Sequence, residues 1–506
     1  MSKKNLETVK DLQPEKTWHY FAELSNIPRG SKKEDKVGKW LLTFAKTNNL
    51  KAAQDSQGNV VIYKEAQNSD SAKTLLLQAH QDMVHEKNSK SKHDFSFDSI
   101  ELQLEGQYLT AKETTLGADN GIGLAIILSI LADKRISHPK IETLFTVDEE
   151  EGMNGVRNLD KSLISADYVV NLDSEDIAEV CIGCAGTTDI FFQVDFERES
   201  VQTNNIDLKI SLNGLQGGHS GMNITENRLN AISSLASLLS NLSQKFEFKL
   251  ISINGGNKRN AIPRESQGII NLPTEKVQEF TQEFRKLAKI YRDYHQNKEP
   301  GLDIRLEKTK KSSRAFSLED TYKLLHILNS IQSGVWQMSQ EIQGLPQTSN
   351  NIGVLKTENN RIEINSMVRS SDDLELISTV NKIISVYNLA FGLNLQAQIL
   401  DFNEQIYTGN NTKLILTNQT NAWKPDPDNE LIKIYTNIYE EKIGCKPKIS
   451  ATHGGLECGF LKSYLPKSQV ISIGPNILNP HSPDEKVDIK SVKVFYELLI
   501  VLLRKL

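Results

Sequence analysis

The sequence is short of several things, and each shortage excludes a class of protein. Four cysteines in 506 residues make no disulfide framework, which points to a reducing compartment. No run of about 18 or more apolar residues occurs, so no spanning helix is expected. The opening stretch, MSKKNLETVKDLQPEKTW, holds no apolar segment of the signal-peptide kind, and a cytoplasmic protein is expected. Charge of one sign is also lacking. The 59 basic and 64 acidic residues leave a net charge of −5, so neither nucleic acid nor an anionic membrane is expected as partner. There is no clear internal repeat and no long low-complexity stretch. What remains is an ordinary globular composition, 38% apolar and 24% charged. The chain is longer than one core can fill, about 300 residues, so two or more domains are expected.

The chain is organised around Leu75–His85, LLLQAHQDMVH. The apolar run before His80 reads as a buried strand of a mostly parallel sheet. Ligands in such sheets bind beyond the carboxyl ends of the strands. His80 is therefore a candidate metal ligand, with Asp82 beside it to orient or tune the site; a surface loop after a strand is the bland alternative. Ile141–Val147 is a second apolar strand, and it ends in four adjacent acids, Asp148 to Glu151. Such acids repel one another unless a cation compensates them or water solvates them. Asp167–Leu172 ends in Asp173, and Val470–Ile473 leads into GPNILNPHSPDE with His481. Between these lies TTLGADNGIGLAIILSILAD, where Asp119 sits in a Gly-rich turn before a helix that begins near Gly121. Asp119 there is either an N-cap or a metal carboxylate reached by close backbone approach.

Two histidines and three carboxylates (His80, Asp119, Glu150, Asp173 and His481) suit two zinc ions sharing one bridging Asp. Glu149, adjacent to a ligand, is the candidate general base.

The flanking segments are simpler. Residues 13–64 read as two helices and a hairpin, and 86–112 as a polar loop or a lid over the site. The middle of the chain differs in texture. Ile206–Leu212 alternates like a half-exposed antiparallel strand. Phe246–Ile253 and Gln267–Leu272 are further strands, and Asn351–Thr357 with Arg361–Val368 reads as a hairpin. Helices are expected over Asn227–Leu242, Thr274–Asn297, Ser317–Ile331 (capped by Ser317) and Leu374–Leu389. The apolar C-terminal stretch, VFYELLIVLLRKL, reads as a final amphipathic helix. Strands alternating with helices on both sides of this region argue for one α/β domain interrupted by an α+β insertion.

Taken together, AHQDMV, TTLGADNGIGLA, DEEEGMNG, NLDSED, GLQGGHSG, RNAIPRE, HGGLECG and GPNILNPHSPDE resemble the zinc aminoacyl-histidine dipeptidases. These are also called peptidase D, Xaa-His dipeptidases or cytosol non-specific dipeptidases, of the co-catalytic zinc exopeptidase and aminoacylase clan. The resemblance runs from about residue 12 to 506. It implies a phosphorylase/hydrolase-like zinc exopeptidase core, α/β in class, with an inserted α+β lid. The expected domains are 1–186 and 403–506 for the catalytic part and 187–402 for the lid. The resemblance further implies that His80, Asp119 and Asp173 bind one Zn2+, and Asp119, Glu150 and His481 the other; Co2+ or Mn2+ are possible in their place. Asp82 would orient His80, and Glu149 would deprotonate a metal-bridging water. The extra Glu151 leaves a one-residue ambiguity in that pair. The bond after Asp119 is where the clan often has a cis peptide.

On the lid, the resemblance implies that His219 stabilises the oxyanion, from its own chain or a partner's. Asn260, Arg369, His453, Gly454 and Gly455 would hold substrate, Arg369 on the free carboxylate; His453 is alternatively a core or supporting histidine. The implied activity is hydrolysis of unblocked dipeptides, possibly including Xaa-His, by a homodimer. The alternatives are an aminoacylase-type amidohydrolase and a catalytically dead binding protein. Cys181-Ile-Gly-Cys184 has redox-motif spacing, but no helix signal follows it.

Overall fold

The computed structural model describes residues 3–398 and 404–506. It divides into two compact units. One comprises Met1–Gly183, Pro425–Ala451 and Leu456–Leu506; the other comprises Cys184–Lys424 and Thr452–Gly455.

The first unit is built on an eight-stranded mixed sheet. Its strand order is Lys51–Gln54, Val60–Lys64, Lys140–Thr146, Thr74–His80, Tyr168–Asn171, Gln469–Ser472, Glu179–Cys184 and Lys448–Thr452. The middle strands are parallel. Thr74 pairs with Lys140 and His80 with Thr146, while Gln78 pairs with Asn171, which in turn pairs with Ser472. Leu75, Leu76 and Leu77 are fully buried, as an unbroken apolar run in a two-sided parallel sheet requires. That register brings the carboxyl ends of Thr74–His80, Lys140–Thr146, Tyr168–Asn171 and Gln469–Ser472 to one edge. The expectation that these strands deliver polar residues at a common end is met.

The helix over Ala118–Leu131 is buried all round, and Asp119 and Asn120 within its first turn keep non-helical dihedrals. Its other end is closed by a lysine. Lys64 Nζ donates to the carbonyls of Ile130 (2.8 Å) and Asp133 (2.7 Å). The C-terminal helix, Ile489–Lys505, buries Val492, Phe495, Leu498, Leu499, Leu502 and Leu503 on one face, as its periodicity implies. Residues 86–112, read as a polar loop or a lid, contain regular structure. Leu102–Glu105 and Tyr108–Ala111 form a hairpin that continues through Lys486–Asp488 to Ile477–Leu478 in a four-stranded sheet. The two hairpin strands are only four residues long each, too short for alternation to stand out among polar neighbours.

The second unit carries a ten-stranded antiparallel sheet. Its path runs Asp303–Lys308, Asn205–Asn213, Ser266–Pro273, Lys249–Gly255, Pro346–Glu358, Arg361–Ser370, Gly186–Asp195, Thr412–Thr420 and Gln405–Thr408, with Gly334–Met338 on a side branch. Four helices, Ala231–Ser243, Val277–His295, Leu318–Ser330 and Asp373–Phe391, share one apolar core with it. Leu235, Phe280, Leu324 and Ile384 from the helices join Phe192, Leu208, Ile210 and Ile364 from the strands. Phe192 stacks on Tyr387 at 3.9 Å between ring centres. Ser317 caps its helix as expected, accepting from the Asp320 N–H. The helix expected from Asn227 starts later, because Asn227 is left-handed and the Asn230 side chain caps the N–H groups of Ile232 and Ser233.

The expected 402/403 boundary lies outside the described residues. Thr412–Thr420 pairs with Gly186–Asp195, so the second unit extends to Lys424 rather than ending at 402.

The Lys64 cap has a measurable consequence. Burial lowers the Lys64 pKa to about 8, against 10.5 for a free lysine. Between these values the unfolded chain holds the proton and the folded chain does not, so stability rises with pH. Lys64→Met leaves two buried carbonyls unpaired and costs about 1–3 kcal/mol. In urea titrations the gap between wild type and variant widens from pH 7.5 to 10.

Candidate metal centre and substrate groups

The ends of the parallel strands, the turns after them and the first turn of the Ala118–Leu131 helix bring together the five residues read as ligands. His80 closes its strand with Nε2 3.0 Å from Asp119 Oδ1 and 3.4 Å from Asp173 Oδ1. His481 Nε2 lies 3.0 Å from Asp119 Oδ2 and 3.0 Å from Glu150 Oε2. Asp119 thus turns one oxygen to each histidine. Two triads, His80–Asp119–Asp173 and Asp119–Glu150–His481, hold their donor atoms within 4.8 Å of one another, and a third, His80–Glu149–Glu150, does the same. The Asp119–Asn120 peptide is cis.

The electrostatics of this cluster fit bound cations. Four carboxylates, Asp119, Asp173, Glu149 and Glu150, face two imidazoles, so when all four are ionised negative charge is in excess even with both rings protonated. Burial would lower the His80 pKa, but Asp173, Asp119 and Asp82 raise it well above the usual value. Hydrogen bonds with Asp119 and Glu150 raise that of His481. Burial pushes the Glu149 carboxyl far up; Asp173, Glu457 and Glu150 add to this and His80 opposes it. Burial also raises Glu150, whose Oε1 is buried without a hydrogen-bond partner. A hard donor set with an orphaned buried oxygen and uncompensated charge is what divalent cations neutralise.

Asp82 supports the cluster from below. Its Oδ1 lies 3.4 Å from His80 Nδ1 and accepts from the Glu149 N–H at 3.1 Å. Its Oδ2 accepts from the Glu150 N–H at 3.2 Å and from Ser31 Oγ at 2.8 Å. One carboxylate therefore lies against the His80 ring and fixes the start of the acidic turn. Burial would raise its pKa, but the bond and charge of His80, with Ser31 and the Glu149 N–H, hold it at about 2. Of the four acids after Ile141–Val147, Glu149, Glu150 and Glu151 form a single helical turn, Glu149–Gly152, entered through a left-handed Asp148. Glu151 points away and pairs with Lys32 at 2.6 Å.

Several supporting residues escape sequence reasoning. Arg29, fully buried, donates to the carbonyls of Gln81 (2.9 Å), Asp82 (2.8 Å) and Gly117. It thereby ties the His80 turn to the Asp119 turn. Glu485 accepts from four consecutive N–H groups, Leu116 to Asp119. Glu457 is buried under the same region and accepts from Gln78 and from Thr146 Oγ1; burial raises it to about 8. Glu457 and Glu485 stand inside the motifs HGGLECG and PHSPDE, so their position was a signal. No pattern marks Arg29.

The substrate residues read from the sequence lie on the second unit. His219 Nδ1 accepts from the N–H groups of Gly221 (3.2 Å) and Met222 (3.3 Å). The ring proton is therefore on Nε2, which faces outward as a donor. Partial desolvation and then the Arg369 charge lower its pKa and keep it neutral. Asn260 accepts through its backbone carbonyl from the Ser220 N–H, beside the pairing of Gly218–His219 with Ala261–Ile262. Arg369 and His453 meet. Arg369 Nη1 donates to the His453 carbonyl at 3.4 Å, and His453 Nε2 sits 2.7 Å from Ser349 Oγ. Arg369 Nε and His453 Nδ1 are buried without partners, and burial lowers Arg369 to about 10. Gly454 donates to Thr452 Oγ1 and accepts from the Ala185 N–H; Gly455 adjoins it in the chain. Cys181 and Cys184 lie three residues apart on one strand, Glu179–Cys184. They therefore project from opposite faces of the sheet, which rules out a redox pair.

Arg29→Met removes three charge-assisted hydrogen bonds and leaves their carbonyls buried. It is expected to cost the metal-free protein about 2–4 kcal/mol in urea denaturation.

The model of peptidase family M20/M25/M40 matches residues 76–505. The cytosol non-specific dipeptidase of Escherichia coli (strain K12) is 33% identical over 502 residues, 99% of each chain. The crystal structure of aminoacylhistidine dipeptidase from Vibrio alginolyticus superposes with a TM-score of 0.89 at 35% identity, over 98% of each chain. The aminopeptidase PepT of Bacillus cereus shares the fold, with a TM-score of 0.55 at 15% identity, over 98% of this chain and 99% of that one. No helix among the described residues is long and apolar enough to cross a membrane. The chain belongs to peptidase family M20/M25/M40.

Proposed function

We propose that this chain is a cytoplasmic dinuclear-zinc dipeptidase that hydrolyses unblocked dipeptides, Xaa-His among them, and works as a homodimer. The relatives matched end to end are named for that activity. The observation that carries the reading is the shared carboxylate of Asp119, 3.0 Å from His80 through one oxygen and 3.0 Å from His481 through the other.

His80, Asp119 and Asp173 would hold one cation, and Asp119, Glu150 and His481 the other. Bound there, two divalent cations supply Lewis acidity that lowers the pKa of water and polarises a carbonyl oxygen. Glu149 takes the proton of the attacking water and returns it to the leaving amine. Its burial, with neighbouring acids, raises its proton affinity, which strengthens it as a base. Asp82 fixes both the His80 ring and the backbone from which Glu149 projects, so base and ligand share one anchor. His219, held neutral with its proton on Nε2, donates to the tetrahedral oxyanion from its own chain or a partner's. Arg369 binds the free carboxylate. Its unpartnered Nε supports this role, because a buried guanidinium N–H needs an acceptor. Asn260, His453, Gly454 and Gly455 line the substrate site. The donor set also accommodates Co2+ or Mn2+.

The deciding experiment measures turnover of a dipeptide panel, with N-acetyl amino acids as comparison, before and after chelation. Activity on free dipeptides that disappears with chelator and returns with zinc is expected; preference for N-acetyl amino acids would overturn the substrate assignment. Glu149→Gln is expected to lose about 100-fold or more in kcat while retaining both metal equivalents. Near-wild-type turnover in that variant would exclude Glu149 as the base.

A further inference from the structure

The loop after Gln469–Ser472 does more than deliver His481. Within it Ser482 Oγ bonds the Asn479 carbonyl at 2.9 Å, and the Glu485 N–H bonds the Ser482 carbonyl at 3.0 Å. This compact turn sets His481 and Glu485 in fixed relation. Glu485 then reaches back across more than 360 residues of sequence. Its Oε2 accepts from the N–H groups of Leu116 (2.8 Å) and Gly117 (3.0 Å), and its Oε1 from those of Ala118 (2.8 Å) and Asp119 (3.3 Å). The residue is 2% exposed. The circuit closes at Asp119, whose Oδ2 lies 3.0 Å from His481 Nε2.

We propose that Glu485 is a positioning residue that sets the shared Asp119 carboxylate against His481, so that affinity for the cation at Asp119, Glu150 and His481 depends on it. The inference rests on the metal reading above. Asp119 departs from helical geometry inside a helical first turn, so its own helix does not fix where its carboxylate points. Four convergent N–H groups on one anion do fix it. Arg29 holds the same turn from the other side through the Gly117 carbonyl. A glutamine at 485 offers a single acceptor oxygen and turns an NH2 group toward N–H donors, so part of the clamp is lost.

The test titrates Zn2+ into the chelator-treated full-length protein, by competition with a chromophoric chelator. It compares wild type, Glu485→Gln, Glu485→Asp and the exposed-loop control Asp484→Asn. In Glu485→Gln, affinity for one of two zinc equivalents is expected to fall about 10–100-fold. Added zinc restores kcat with KM unchanged. Glu485→Asp, which keeps the charge on a shorter arm, falls between the two, and Asp484→Asn matches wild type. Wild-type zinc affinity and stoichiometry in Glu485→Gln, whatever its melting temperature, would overturn the proposal. So would a kcat deficit that zinc does not restore. If Glu485→Gln does not fold, Glu485→Asp is judged by the same two readouts, and failure of both to fold overturns the proposal in favour of a purely structural role. A wild-type protein that takes up no zinc overturns the metal reading and this inference with it.

Discussion

The arrangement of the first unit depends on one constraint: Asp119 must present its two oxygens in two directions at once. Each faces an imidazole at 3.0 Å, and neighbouring acids crowd both sides. Mutual repulsion among buried carboxylates would push these groups apart unless their backbones were held. The holding groups are themselves charged and buried. Asp82 gathers the His80 ring and the amides of Glu149 and Glu150, Glu485 gathers the amides around Asp119, and Arg29 joins the two turns. Charge concentrated around Asp119 is thus balanced by fixed dipoles and one guanidinium as well as by the two imidazoles that face it.

The sheet supplies the scaffold for this. Its parallel register aligns the strand ends at the edge where the turns emerge. The insertion between Gly183 and Pro425 leaves this sheet intact, because Gln469–Ser472 returns to pair with Tyr168–Asn171 in parallel. The second unit holds an oriented imidazole at His219 and a buried guanidinium at Arg369. Both are the kinds of group that bind oxygen anions.

Much of this was legible in the sequence where a local pattern and a local structure coincide. The apolar runs ending at His80, Val147 and Leu172 marked the strands and their ends. The acidic cluster after Val147 demanded a compensating partner, and Gly residues flanked Asp119 where the chain turns sharply. Alternation over Ile206–Leu212 and the cap at Ser317 marked elements of the inserted unit. What stayed hidden depends on distant partners. Arg29 is an ordinary arginine until the fold brings the carbonyls of Gln81, Asp82 and Gly117 around it, and Glu485 acts on amides far away in sequence. The hairpin at Leu102–Ala111 is too short to show a period. The pairing of Thr412–Thr420 with Gly186–Asp195 is a tertiary choice, which is why the second unit reaches Lys424.

The central claim is that one carboxylate serves two cations. Metal stoichiometry and affinity in Asp119→Ala, set beside His481→Ala, test it most directly. The account predicts two tight zinc equivalents in wild type, weakening of both in Asp119→Ala, and weakening of one in His481→Ala. An Asp119→Ala protein that still binds one equivalent as tightly as wild type would contradict it.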